Sequence, residues 1–282
     1  MSNSYAYNQD PSERLIKELK RRRYSSRTIS TYVFCVSKFL NWCKKPVNKI
    51  TKKDVREYLE MKDSKGRAGN TLNVNLMAIK FYFEEILGRK MWIDIKYSKT
   101  PKRIQRYLTK GEIAKLLGAI KNPKHMLMIA LIYSAGLRVS ELINLKIKDL
   151  CFSEGFGFVR NGKGGKDRVF VIARAIKEEL FFRCKNRDSC EFVFLTNRKK
   201  KYSIRTIQVI VKRAARLAGI SSWKEIHPHT LRHSFATHLV ENDYAITDVQ
   251  ASLGHKSPET TMVYTHSSGR FIGIKSPLDK LE

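Results

Sequence analysis

Apolar residues recur with helical spacing along most of the 282-residue chain. Between residues 26 and 42, Ile29, Tyr32, Val33, Val36, Phe39 and Leu40 fall on one helical face, with Ser25 or Ser26 placed as the N-cap. Thr51 opens a second amphipathic stretch, where Val55, Tyr58, Leu59 and Met61 form the buried face and Asp54 completes a capping box. Gly66 and Gly69 interrupt it. A longer helix then carries Leu72, Leu76, Ile79, Phe83 and Leu87 and stops at Gly88. With Leu15, Ile16 and Leu19 ahead of them, residues 11–90 are expected to form a small bundle of about four helices.

Residues 1–10 are polar and are expected to be disordered, and residues 91–106, basic and weakly periodic, read as a linker. A second domain is expected over 107–266. Thr109 can cap a helix with Glu112 at the third helical position, and the helical period continues through Leu116, Leu117, Met128, Ile129 and Ile132. At Phe156 the period changes. FGFVRN, then GKGGK, then DRVFVI, read as two short strands around a glycine-rich basic turn. From Ile176 onward the chain looks helical again, punctuated at Pro228, Gly254 and Pro258. The expected fold class is mainly α, a helical domain followed by a mostly helical α/β domain with a small antiparallel sheet.

Composition narrows the classes. Hydrophobic residues make up 42% of the chain, enough for packed cores, which excludes global disorder. The longest apolar run covers residues 126–133, far short of the roughly 18 needed to span a bilayer. The polar N-terminus lacks the apolar stretch of a signal peptide, so a cytoplasmic location is expected. Cys35, Cys43, Cys151, Cys184 and Cys190 form no C-x-x-C pair and read as reduced; a bridge between Cys184 and Cys190 is the minority alternative. Charge says most: 55 Lys and Arg against 26 Asp and Glu give +29. The excess is 22 against 10 in residues 1–100 and 33 against 16 in 101–282, so both halves are suited to one polyanion.

Four segments carry candidate chemistry. In SAGLRVSEL (134–142), Arg138 precedes Glu141 by about one turn, a pair that could equally be a surface ion pair. In GKGGK (162–166), Lys163 sits on a turn whose glycines let the backbone approach an anion, although a solvated basic turn would look the same. In HPHTLRHSFATH (227–238), His229 and Arg232 share a helical face; His229 and His233 could alternatively hold zinc, or be structural. In LGHKSPETTMVYTH (253–266), Tyr264 could be an ordinary core tyrosine. Taken together, arginines that can grip phosphate oxygens in bidentate fashion, with lysine and histidines nearby, suggest a clamp for a pentacoordinate phosphorus. No acidic cluster with metal-ligand character accompanies them, which argues against a metal nuclease, and Tyr264 is the available hydroxyl nucleophile.

On AGLRVSEL (135–142), GKGGKDR (162–168), HPHTLRHSFATHL (227–239) and LGHKSPETTMVYTH (253–266), the chain resembles the tyrosine recombinases of the lambda-integrase superfamily, specifically the short Xer-type members. The resemblance implies a SAM-like core-binding domain over 11–90, a catalytic domain over 107–266, and a C-shaped clamp on duplex DNA. It further implies that Arg138 and Arg232 bind the scissile phosphate, His255 adds a hydrogen bond, Lys163 acts as general acid and His229 assists proton transfer. Tyr264 would form a 3′-phosphotyrosyl intermediate. No metal or other cofactor and no ATP are expected; Glu141 and Asp149 would position helices. The implied partners are a specific duplex site and three further copies in a synaptic tetramer, with residues 267–282 (Phe271, Ile272, Leu278, Leu281) packing between protomers; an accessory motor protein is left open. Xer-type resolution of chromosome or replicon dimers is the expected role, in keeping with no arm-binding domain ahead of residue 11. Integration of a virus or mobile element, a type IB topoisomerase-like activity and a non-catalytic DNA-binding module are the alternatives. Asn242-Asp243 replaces the family's usual Asn-Gly turn, so Asp243 is expected to take a left-handed conformation.

Overall fold

Ser25 and Thr51 begin the helices for which their side chains suit them. In the computed structural model, which describes residues 11–89, 106–160, 167–254 and 276–281, the chain divides into two units after Arg103. The first contains α1 (Pro11–Arg21), α2 (Ser26–Cys43), α3 (Lys52–Ser64) and α4 (Gly69–Phe81). Ser25 Oγ accepts from the Thr28 N–H at 3.1 Å. The Asp54 carboxylate accepts from the Thr51 N–H at 2.8 Å, the returning half of the capping box. Leu15, Leu19, Val36, Phe39, Val55, Tyr58, Leu76, Ile79 and Phe83 are buried together in one core. Each of the aliphatic and phenylalanine side chains contributes about 1.5–3 kcal/mol by leaving water. The helix expected to run to Leu87 changes character at its end: α4 passes into a π turn over Tyr82–Ile86, which keeps both Tyr82 and Phe83 buried.

The second unit contains α5 (Lys110–Gly118), α6 (Pro123–Ser134), α7 (Val139–Asn144), α8 (Arg174–Cys184), α9 (Ile204–Leu217), α10 (Pro228–Glu241) and α11 (Ile246–Leu253). The Thr109–Glu112 capping box is present, at 3.0 and 3.2 Å. Residues 110–134 are two helices rather than one continuous period, because Asn122 caps a new start with Pro123 in its first turn. The sheet has three antiparallel strands in the order β1 (Leu150–Cys151), β2 (Phe156–Val159), β3 (Arg168–Val171). Sequence periodicity missed β1, whose two residues are too few to show a period. Gly157 sits where a Cβ would meet the Phe170 ring at 2.4 Å. The core of this unit is built around α6, where every residue from Leu127 to Ser134 is buried.

One expectation is corrected. The chain after Ile176 is not helical throughout: residues 185–202 are irregular and pinned by the bridges Lys146↔Phe192 and Leu195↔Lys201. Of the tail expected to pack between protomers, residues 276–281 make contacts with their own unit. Leu278 and Leu281 join its core, Ser276 Oγ donates to the Ser134 carbonyl at 3.0 Å, and Asp279 accepts from the Ala175 N–H at 3.0 Å. Cys184 and Cys190 are unpaired, as are the other three cysteines, in keeping with the reduced state read from the sequence rather than with the minority alternative of a bridge. Asp243 does adopt the left-handed conformation, at φ 63. The N-terminal ten residues, the linker up to residue 105, Phe271 and Ile272 lie outside the described residues.

Candidate active site

Arg138 reaches its position because the α6–α7 connection turns on Gly136. That residue has φ +55, and a Cβ there would stand 2.5 Å from Phe235 Cδ1 and 2.9 Å from Leu253 Cδ2, so only glycine fits. Arg138 is then the N-cap of α7. Its N–H donates to Glu141 Oε2 at 2.9 Å and its Nη1 to Glu141 Oε1 at 2.6 Å. The ion pair anticipated from the spacing exists, but Glu141 is buried and the Arg138 side chain retains 18% exposure.

Arg232 projects from α10, which begins at Pro228 with His227 Nδ1 accepting from the Thr230 N–H at 3.2 Å. The inner face of this helix buries Leu231, Phe235 and Leu239 together with Arg232, Ser234 and His238. Its buried polar groups are satisfied: Ser234 Oγ accepts from the Leu108 N–H at 2.8 Å, and His238 Nδ1 lies 2.8 Å from the Tyr133 hydroxyl. Arg232 donates through Nη1 to the Gly136 carbonyl and through Nη2 to the Leu253 carbonyl at 2.6 Å. Two of its five N–H groups are used in these bonds.

Glu141 is the hub. Its Oε2 also accepts from Arg168 Nη2 at 2.8 Å and lies 3.8 Å from Arg232 Nη1. Burial raises its proton affinity, but the Arg168 charge and the hydrogen bonds from Arg138 and Arg168 outweigh it and hold the carboxyl below its ordinary value. Three guanidiniums thus share one carboxylate, and the balance is unfavourable to the buried Arg168 and Arg232. Burial, then the Arg168 and Arg138 charges, push Arg232 down to about 9 against the pull of Glu141. An anion entering beside Arg138 and Arg232 relieves that imbalance.

A cleft of about 650 Å³ opens over this group, lined among others by Arg106, Arg138, His227, His229, Arg232 and His233. His229 stands exposed at its edge, its ring centroid 6.0 Å from that of His227. Crowding by its neighbours, then the His227, Arg232 and Arg138 charges, hold it below the usual imidazole value. It is therefore mostly neutral at pH 7 and competent to accept a proton. Among the described residues no three His, Cys, Asp or Glu side chains group as metal ligands, so His229 and His233 have no third ligand there. The structure brings together Arg138, His229 and Arg232; Lys163, His255 and Tyr264 lie outside the described residues. Arg106, His227 and Arg168 received no role in the sequence reading. Arg168 had one available signal, a charged residue opening an otherwise apolar strand.

Two family profiles match the chain: the phage integrase family over residues 106–270, and the phage integrase N-terminal SAM-like domain over residues 12–93. Tyrosine recombinase XerA of Pyrococcus horikoshii is 36% identical over 263 residues, covering 92% of this chain and 89% of its own. XerA of Pyrococcus furiosus is 37% identical, over 88% and 86%. Among solved structures, XerA recombinase aligns with a TM-score of 0.50 at 30% identity, covering 92% of this chain and 93% of its own. A lambda integrase dimer bound to a COC' core site shares the fold, with a TM-score of 0.70 at 20% identity over 89% and 95%. With a profile matching more than half of its length and such relatives aligned nearly end to end, the chain belongs to the phage integrase family, as a tyrosine recombinase, an enzyme of site-specific DNA recombination.

Proposed function

We propose that this recombinase cuts and rejoins duplex DNA at one site through a 3′-phosphotyrosyl intermediate on Tyr264, without metal or ATP. The supporting observation is the convergence of Arg138, Arg232 and His229 on one cleft over a cation-rich framework. In this reading, the two arginines bind the non-bridging oxygens of the scissile phosphate and gain strength as charge builds on phosphorus. The Tyr264 oxygen attacks phosphorus and loses its proton with help from His229. The bond to the 5′-oxygen breaks, and Lys163 protonates that leaving group. His255 donates a further hydrogen bond. A 5′-hydroxyl from a second duplex then attacks the phosphotyrosine and releases Tyr264, so one phosphodiester replaces another and no external energy source enters the balance.

The relatives named XerA, XerC and XerD support an Xer-type role in resolving chromosome or replicon dimers, carried out by a tetramer holding two sites in the cytoplasm. Integration of a mobile element is the second reading, and solved neighbours such as the Tn1549 transposon integrase and lambda integrase lend it only a shared fold.

Incubation with labelled duplexes nicked near candidate sites, in EDTA, tests the chemistry. Wild type is expected to form a covalent band on a denaturing gel, and Tyr264→Phe none. Tight binding with no band on any duplex would overturn the reading. Within that assay Arg138→Ala is expected to slow band formation by about 10²–10³-fold, the range for removing a preorganised oxyanion donor. A plasmid with two directly repeated sites is expected to lose the segment between them.

A further inference from the structure

Arg168 opens β3, and its side chain is 4% exposed, too deep to touch a substrate in the cleft. Yet its guanidinium bonds the groups that hold Arg138 and Arg232. Nη2 donates to Glu141, the carboxylate that holds Arg138, at 2.8 Å. It also donates to the Gly136 carbonyl at 3.3 Å, the same oxygen that accepts from Arg232. Nη1 donates to the Ser252 carbonyl at 2.7 Å, at the end of α11 and next to the Leu253 carbonyl that takes the other arm of Arg232. The aliphatic stem is fitted too: a Cβ on Gly254 would stand 2.9 Å from Arg168 Cδ. One side chain therefore joins the α6–α7 turn, the end of α11 and β3. Residue 255 follows directly in the chain.

Stability alone does not explain such a group. Burial pushes the Arg168 guanidinium down, and Arg138 opposes its charge, while Glu141 is the only carboxylate that pairs with it among the described residues. A buried cation sharing one carboxylate with two others is a weak source of folding energy, and apolar residues often serve as well. What the fork does supply is geometry, because a planar guanidinium with several fixed donors determines where three acceptors sit relative to one another.

We propose that Arg168 is a positioning residue for the recombination reaction. It aligns Arg138 and Arg232 on the scissile phosphate by fixing Glu141 and the Gly136 and Ser252 carbonyls, without touching DNA. This rests on the proposed clamp roles of Arg138 and Arg232. Lysine cannot reproduce the fork, and methionine fills the stem with no charge.

The test compares wild type, Arg168→Lys and Arg168→Met in two measurements on the full chain: equilibrium binding to a nicked duplex that wild type cleaves, and the rate of covalent band formation in EDTA. The expected result is affinity within about threefold of wild type and cleavage slowed at least about 30-fold. In an Arg138→Ala background, the Arg168→Lys effect should shrink to within about threefold, because the arginine being aligned is gone. Equal cleavage by wild type and both variants would overturn the proposal. So would losses in both backgrounds that simply multiply, or loss of folding or binding in step with cleavage in both variants, which would make Arg168 a structural residue only. Failure of wild type itself to form a covalent band is a different result, since it removes the clamp chemistry on which this inference stands.

Discussion

Gly136 shows how far one residue constrains the site. Its left-handed backbone and the ring of Phe235 leave no room for a side chain, while its carbonyl receives both Arg168 and Arg232. Gly136→Ala should therefore cost about 3 kcal/mol, from left-handed strain of roughly 1 kcal/mol plus overpacking. Urea unfolding measures it, and a loss under about 0.5 kcal/mol would mean the turn can relax. At this scale the sequence was uneven. Arg138, His229 and Arg232 were singled out by the four motifs that carry the family resemblance, since the spacing of each alone fitted a structural role equally well. The role of Glu141 as a hub was hidden, since its partners Arg168 and Arg232 lie 27 and 91 positions further along and no local pattern joins them. Arg168 was hidden for the same reason.

Among the elements, the starts of the helices with side-chain caps were legible to within a residue, as α2, α3 and α5 show. There a local hydrogen bond sets the boundary. Thr109→Ala should lower stability by about 1 kcal/mol while leaving the burial of Ile113 and Leu116 intact, a change readable by thermal unfolding. Phe39, fully buried against Tyr58 and Phe83, is a harsher case: Phe39→Ala should cost about 3–5 kcal/mol. Proteolysis of the N-terminal unit would report it, and unchanged resistance would contradict the packing. Elements held by distant partners were less visible. β1 owes its existence to pairing with β2, residues 185–202 to bridges with residues 146 and 201, and the π turn after α4 to the need to bury Tyr82 and Phe83 together.

For the whole molecule, charge and titration set the expected behaviour. With +29 on the chain, binding to duplex DNA should weaken steeply with salt, since each neutralised phosphate adds about 0.9 to the slope of log K against log salt. A slope near zero would contradict a phosphate-dominated interface. Stability should also fall in mild acid. Burial holds His238 below its ordinary value, and crowding and nearby cations do the same to His229. The unfolded chain thus takes up protons near pH 6.5 that the folded one refuses, and stability present above that pH declines below it. Glu141 acts in a lower window. Its depressed folded value means that the stability it contributes is present above about pH 4.3 and is lost as the pH falls through that folded value. Urea midpoints at pH 7.5 and 5.5 check the histidine window, and an equal or higher midpoint at 5.5 would contradict it. The most direct test of the central chemistry is to digest the trapped DNA complex and locate the adduct by mass spectrometry. The expected result is a nucleotide mass on the peptide containing Tyr264, joined through a 3′-phosphate, with a free 5′-hydroxyl on the released strand. An adduct on another residue, or one joined through a 5′-phosphate, would contradict it.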